Sequence, residues 1–141
     1  MTLEYQKIID DIYSINGFYS KQKFMSPYFK GWIKGALEKN KIELIEENGS
    51  IVAFVTYSVL KRKPFITLQK LAVRNDHLRR GYGKKLLGVI KQKALNDNNR
   101  AIQLRVVKIN DNAVRFYESQ GFIVEDDKKH DYSMRMVWKN V

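Results

Sequence analysis

The chain has no cysteine. That excludes a disulfide framework, a cysteine-ligated zinc and a thiol nucleophile. It has two histidines, His77 and His130, too few for a histidine-rich metal site, so no metal is expected. No apolar run approaches the roughly 20 residues of a membrane-spanning helix. The opening residues, Met1 to Lys7, do not read as a signal peptide. Low-complexity tracts, repeats and linkers are absent as well. The expectation is one domain over residues 1–141, cytoplasmic, with no membrane partner. A chain of 141 residues can bury a core without disulfides or metal.

Acidic residues are scarce in one region. Residues 60–100 hold twelve Lys/Arg against two Asp/Glu, whereas the remainder holds fourteen against thirteen. Almost all of the net charge of +11 therefore sits in that region. A polyanionic ligand explains part of the excess, and a larger acidic partner would explain the rest. Lys61, Arg62 and Lys63 read as a solvated loop within it.

The stretch from Gln69 to Ala94 carries the most chemistry. Leu71, Ala72 and Val73 read as the end of a buried strand. Arg74 to Leu78 is a polar turn. Arg79, Arg80, Gly81, Tyr82, Gly83, Lys84 and Lys85 follow, and Tyr82, Leu86, Leu87, Ile90 and Ala94 make one apolar helical face. A helix start offers unpaired backbone N–H groups and partial positive charge. Glycine there lets a ligand approach the backbone. A phosphate or pyrophosphate is the natural guest. The nucleotide fingerprints fit badly: G-x-G-x-x-G needs glycine at Leu86, and the P-loop needs Ser or Thr at Lys85.

Elsewhere the pattern is coarse but ordered. Ile8, Ile9, Ile12 and Ile15 share a helical face that ends near Asn16 and Gly17. Ser26 and Pro27 start a second helix, whose apolar face is Phe29, Ile33, Ala36 and Leu37, with Lys39 and Asn40 at its end. Trp32 beside that face reads as core. Lys41–Glu46 and Ile51–Leu60 alternate as strands around an Asn48-Gly49 hairpin turn. Phe65–Val73 is a third strand. Ala101–Val107 reads as a buried strand parallel to it across a helical crossover. Asn110 to Phe122 reads as a helix, with Gly121 suited to its C-terminus. Phe122–Asp126 and Tyr132–Lys139 close the chain as strands. His130 lies in the turn between them.

Two motifs make the chain resemble the GCN5-related N-acetyltransferase (GNAT) superfamily. Leu71-Ala72-Val73 followed by Leu78 to Lys84 resembles that family's strand and (Q/R)-x-x-G-x-(G/A) pyrophosphate turn. Asn110, Ala113, Phe116, Tyr117, Gly121 and Phe122 stand at the positions of its N-x-x-A-x-x-(F/L)-Y-x-x-x-G-F motif. The resemblance implies a mixed α/β (α+β), mostly antiparallel sheet of six to seven strands flanked by helices, with splayed central parallel strands. It implies acetyl-coenzyme A as co-substrate and direct attack by an amine.

The implied roles are specific. Leu71, Ala72 and Val73 would pair with the pantetheine arm. Arg79, Arg80, Gly81, Tyr82, Gly83 and Lys84 would hold the pyrophosphate. Asn110 and Phe116 would line the arm, and Tyr117 would protonate the departing thiolate. Bland rivals stand beside these roles: Asn110 as a helix cap, Tyr117 as a core aromatic. Leu78 replaces the family's Gln or Arg. Gln69 stands where many members carry a glutamate base, so the base is unassigned. The acceptor is a protein or small-molecule amine, or an RNA-borne amine such as aminoacyl-tRNA. A non-catalytic acyl-coenzyme A sensor and a nucleic-acid-binding module are the alternatives, and a monomer or homodimer is expected.

Overall fold

A computed structural model describes residues 3–15, 33–59, 62, 64–98, 100–126 and 132–140. The readings at Asn16-Gly17, Ser26-Pro27, Phe29, Trp32, Leu60, Lys61, Lys63 and His130 lie outside these residues. Six strands have the order β1-β2-β3-β4-β6-β5. They are β1 (Ile42–Glu47), β2 (Ser50–Val59), β3 (Phe65–Val73), β4 (Ala101–Val107), β5 (Ile123–Asp126) and β6 (Ser133–Trp138). The helices are α1 (Leu3–Ile15), a helical stretch α2 over residues 33–38, α3 (Tyr82–Asn96) and α4 (Asp111–Ser119). Among the described residues no helix is long and apolar enough to cross a membrane.

Two compact units emerge, Met1–Tyr57 with Gln69–Val89, and Ser58–Leu68 with Ile90–Val141. In the first unit, Ile9, Ile12 and Ile15 of α1 and Ile33 and Ala36 of α2 are buried with Ile42, Ile51 and Phe54. Their spacing is what aligns them on one helical face. Asn40, at φ 56°, ends α2. The N–H groups of Lys41 and Asn40 return to the carbonyls of Ala36 and Leu37, which is the Schellman arrangement. Asn48 (φ 51°) and Gly49 (φ 81°) are both left-handed, as a two-residue hairpin turn with the twist of its strands requires. The β1–β2 register slips between Ile45 and Glu46. Such a bulge re-aims the residues beyond it, here Glu46 and Glu47.

In the second unit, β3 pairs in parallel with β4 over three positions only: Phe65↔Ala101, Ile66↔Ile102 and Thr67↔Gln103. Thr67↔Gln103 is the last register pair of this ladder. β6 pairs antiparallel with β4 on one side and with β5 on the other.

Two sequence readings need correction here. Leu71, Ala72 and Val73 are half-buried rather than a buried strand end, because this half of β3 lacks a ladder with β4. In β4, Ile102, Leu104 and Val106 are buried while Arg105 and Val107 are exposed. It is therefore a strand with one buried face.

Candidate active site

In the first unit, β3 runs into a short 3-10 turn, Asn75–His77, and then into α3. The N–H of Arg74 is tied to the carbonyl of Val52 at 2.8 Å. The N–H of Lys85 closes the first helical turn onto the carbonyl of Gly81 at 2.9 Å. Gly81 is therefore the cap, and the N–H groups of Tyr82, Gly83 and Lys84 lie in the turn that has no intrahelical acceptors. Gly81 adopts φ 80°, a conformation that favours glycine. Arg79 adopts φ 66°, costly for a residue with a side chain and typical of turns whose geometry serves a ligand. Arg79, Arg80, Lys84 and Lys85 are exposed around this helix start, and Leu78 is 54% exposed.

One carboxylate gathers the turn. Glu47, just past the bulge, accepts a short hydrogen bond from the Tyr82 hydroxyl on Oε1. Its Oε2 lies 2.8 Å from His77 Nε2 and 3.3 Å from a terminal nitrogen of Arg80. On its other side the His77 ring meets Asp76 at 2.7 Å. That hydrogen bond, with the Arg74 guanidinium 3.0 Å away, holds the Asp76 carboxyl below its ordinary range. Sequence reasoning missed Glu47, since nothing local links it to residues more than thirty positions away. It also missed Lys70 of β3, whose ammonium burial pushes down to about 8. A lysine directly before the apolar run Leu71-Ala72-Val73 at the end of a strand was the available signal. Gln69 is exposed.

In the second unit, the physical meaning of the second motif is plain. Asn110 Oδ1 accepts the N–H of Ala113 at 3.2 Å and starts α4, the cap its residue type favours. Gly121, at φ 92°, ends it. The N–H of Gly121 returns to Glu118 and that of Phe122 to Tyr117, each at 3.0 Å. A side chain at Gly121 would also meet Trp138 at 3.3 Å. In such an ending the residue after the glycine packs on the helical residue whose carbonyl it caps. Phe122 and Tyr117 do so edge to face, 5.5 Å between ring centres. Phe116 meets the Tyr117 ring on another side at 5.3 Å.

Tyr117 is thus clamped by both neighbouring rings, while its hydroxyl has no hydrogen-bond partner among the described residues. Burial pushes its pKa up to about 12, so the hydroxyl keeps its proton at neutral pH. Asn110 is exposed and Phe116 half-buried. In the first unit Leu71, Ala72 and Val73 end β3, and Arg79, Arg80, Gly81, Tyr82, Gly83 and Lys84 form the turn and helix start that follow it. In the second unit Asn110 caps α4, and Phe116 and Tyr117 stand in ring contact on it. Among the described residues no group of three or more His, Asp or Glu is placed to hold a metal ion.

Comparison with known proteins adds to this geometry. Residues 6–122 match the model of the Acetyltransferase (GNAT) family. An "Uncharacterized N-acetyltransferase" of Archaeoglobus fulgidus is 30% identical over 107 residues, 72% of this chain and 71% of that protein. PH1933 from Pyrococcus horikoshii has the same fold at a TM-score of 0.78 and 20% identity, over 96% of this chain and 92% of its own. The PaiA N-acetyltransferase of Thermoplasma acidophilum, solved in complex with coenzyme A, gives a TM-score of 0.72 at 16% identity, over 96% and 90%.

Proposed function

This chain belongs to the Acetyltransferase (GNAT) family, and we propose that residues 1–141 act as one transferase that moves an acetyl group from acetyl-coenzyme A to a primary amine. In this reading the turn from Arg79 to Lys84 holds the diphosphate of the co-substrate, through the first-turn N–H groups of α3 and the charges around them. The pantetheine arm pairs with the backbone of Leu71 and Val73 like an added strand. The N–H groups around Ala72 and Val73 polarise the thioester carbonyl. Asn110 spends its side-chain carbonyl on its helix cap, so its amide N–H groups are what reach the arm. Phe116 supplies an apolar wall.

The acceptor nitrogen attacks the thioester carbon and gives a tetrahedral oxyanion. That intermediate collapses with loss of the coenzyme A thiolate as the Tyr117 hydroxyl passes its proton toward the sulfur, and the tyrosine is restored by a proton from solvent. The proton released by the amine leaves to solvent, since Gln69 has no basicity to offer.

Tyr117 carries the reading: its ring meets Phe116 and Phe122, and its hydroxyl, without a hydrogen-bond partner among the described residues, is protonated at working pH. The test combines calorimetric titration of acetyl-coenzyme A with mass spectrometry of an amine panel after incubation with labelled acetyl-coenzyme A. Binding and a labelled amide product are expected. Gly83→Val should place a branched side chain where the diphosphate approaches, and lower co-substrate affinity at least about a hundredfold while the fold survives. Absence of binding to the wild-type chain overturns the reading, and unchanged affinity in Gly83→Val removes this turn from it.

A further inference from the structure

Two arginines of the second unit face each other across a strand pair. Arg105 of β4 and Arg135 of β6 are register partners, so their side chains leave the same face of the strand pair. Like charges directly opposite each other destabilise a sheet. Arg74, Arg80 and Arg100 each meet a carboxylate, from Asp76, Glu47 and Asp97. No ion pair of the described residues includes Arg105 or Arg135.

Their partners are neutral. Arg105 Nε donates to Ser133 Oγ at 3.1 Å, and one terminal nitrogen donates to the Ser133 carbonyl at 3.0 Å. Arg135 Nε donates to Gln103 Oε1 at 2.8 Å. Gln103 is itself held, its amide donating to Thr67 Oγ1 at 2.9 Å. The Arg135 guanidinium lies over the Phe65 ring, 4.9 Å from its centre. Neutral acceptors and a ring fix where these groups point but do not cancel their charge. Both terminal nitrogens of Arg135 and one of Arg105 remain without a protein acceptor among the described residues.

We infer that this pair binds the carboxylate of the acceptor, so that the substrate class is a carboxylate-bearing amine; the inference rests on the transferase reading. Guanidinium forks match a planar carboxylate through paired N–H donors. A nucleic-acid strand fits less well, because base stacking needs an open aromatic face and Arg135 covers Phe65. Arg135 has a second register neighbour, Asp126 of β5, which supplies a control.

Succinate and its neutral diamide, succinamide, are titrated into the full chain saturated with acetyl-coenzyme A. Nitrogen-15 NMR follows the Nε–H signals, assigned with Arg105→Gln and Arg135→Gln. Succinate should shift both signals and succinamide neither. Each variant should weaken succinate at least about tenfold and leave acetyl-coenzyme A affinity unchanged. Matched tripeptide amines containing glutamate or glutamine should differ at least about tenfold in KM, favouring glutamate, and each variant should erase that difference. Shifts unaltered by succinate, or equal KM values, overturn the inference. So does inorganic phosphate binding more tightly than succinate, or Asp126→Asn alone tightening succinate about tenfold, which would make Asp126 the counter-ion. Wild-type protein that acetylates no amine, yet binds succinate through both arginines, counts against the transferase reading and supports the anion site.

Discussion

Tyr82 and Tyr117 each stand in one of the two motifs, and each lies half-buried on a helix. Their hydroxyls differ. The Tyr82 hydroxyl donates to the Glu47 carboxylate, which also meets His77 and Arg80. The Tyr117 hydroxyl has no partner among the described residues, although the ring around it is fixed by Phe116 and Phe122. A hydroxyl committed to a carboxylate is a strut: using it in a reaction would leave that carboxylate short of a donor. A fixed but uncommitted hydroxyl can give its proton without dismantling anything. Under the proposed reading, Tyr82 would hold the co-substrate turn in shape and Tyr117 would be the hydroxyl open to chemistry.

The sharpest way to break this contrast is Tyr117→Phe, which keeps the ring and its packing. A thiol has an ordinary pKa of about 8.5, below the value of about 12 at Tyr117. Complete proton transfer from tyrosine to thiolate is therefore uphill at equilibrium, so the hydroxyl assists by partial transfer as the carbon–sulfur bond breaks. The expected loss in kcat is about tenfold to a few hundredfold, near the low end for general acids. Acetyl-coenzyme A affinity should stay within about threefold, the pattern of an interaction made mainly in the transition state. Full kcat under conditions where chemistry limits turnover returns Tyr117 to the role of a core aromatic.

The same variant has a second readout. Burial raises the Tyr117 pKa in the folded chain above the ordinary tyrosine value of 10.0. Between that value and about 12 the unfolded chain has lost a proton that the folded chain retains, so the contribution of Tyr117 to stability falls as pH rises through this window. Melting temperatures from pH 9 to 12 should decline less steeply in Tyr117→Phe than in the wild type.

A smaller effect is expected on the other side of the comparison. Glu47→Gln keeps the shape and removes the charge that gathers His77, Arg80 and Tyr82. The site is partly solvated, so each contact is worth less than a buried one. Acetyl-coenzyme A Kd should rise about tenfold, because the charge that all three partners share is gone, with kcat changed less than about twofold. A kcat loss as large as that of Tyr117→Phe would mean that the Glu47 cluster takes part in the chemistry.

What the sequence made legible follows from how far apart the determinants lie. β3 and β4 could be bounded from their residues, because β-branched and apolar runs stop at Pro64, Arg74 and Arg100. The Asn48-Gly49 turn and the Asn110 and Gly121 caps are also local, each set by the conformation that one or two residues prefer. The half-burial of Leu71 to Val73 was not legible, since it depends on a ladder that ends at Thr67. Glu47 was invisible for the same reason, its partners being brought to it by a hairpin and a bulge. The motifs single out Tyr117 and Tyr82, and only the three-dimensional contacts distinguish the surroundings of their hydroxyls.

Tyr82→Phe gives the smallest expected effect and tests the strut directly. The ring remains on α3 beside His77, where the two rings stack at 6.4 Å. Only the donor to Glu47 is lost, and the carboxylate keeps His77 and Arg80. A hydrogen bond to a charged group contributes about 1.5–3 kcal/mol when well buried. Here the carboxylate side chain is 30% exposed, so water replaces part of what is lost and about 1 kcal/mol is expected. That corresponds to a fall of about 2–8 °C in melting temperature. Acetyl-coenzyme A Kd should rise about two- to fivefold, because the start of α3 is held less firmly, and kcat should not move. In the double variant with Glu47→Gln the two changes should add to less than their sum, since both remove the same contact. Full additivity, or a kcat loss in Tyr82→Phe alone, would mean that this hydroxyl acts on the substrate rather than through Glu47.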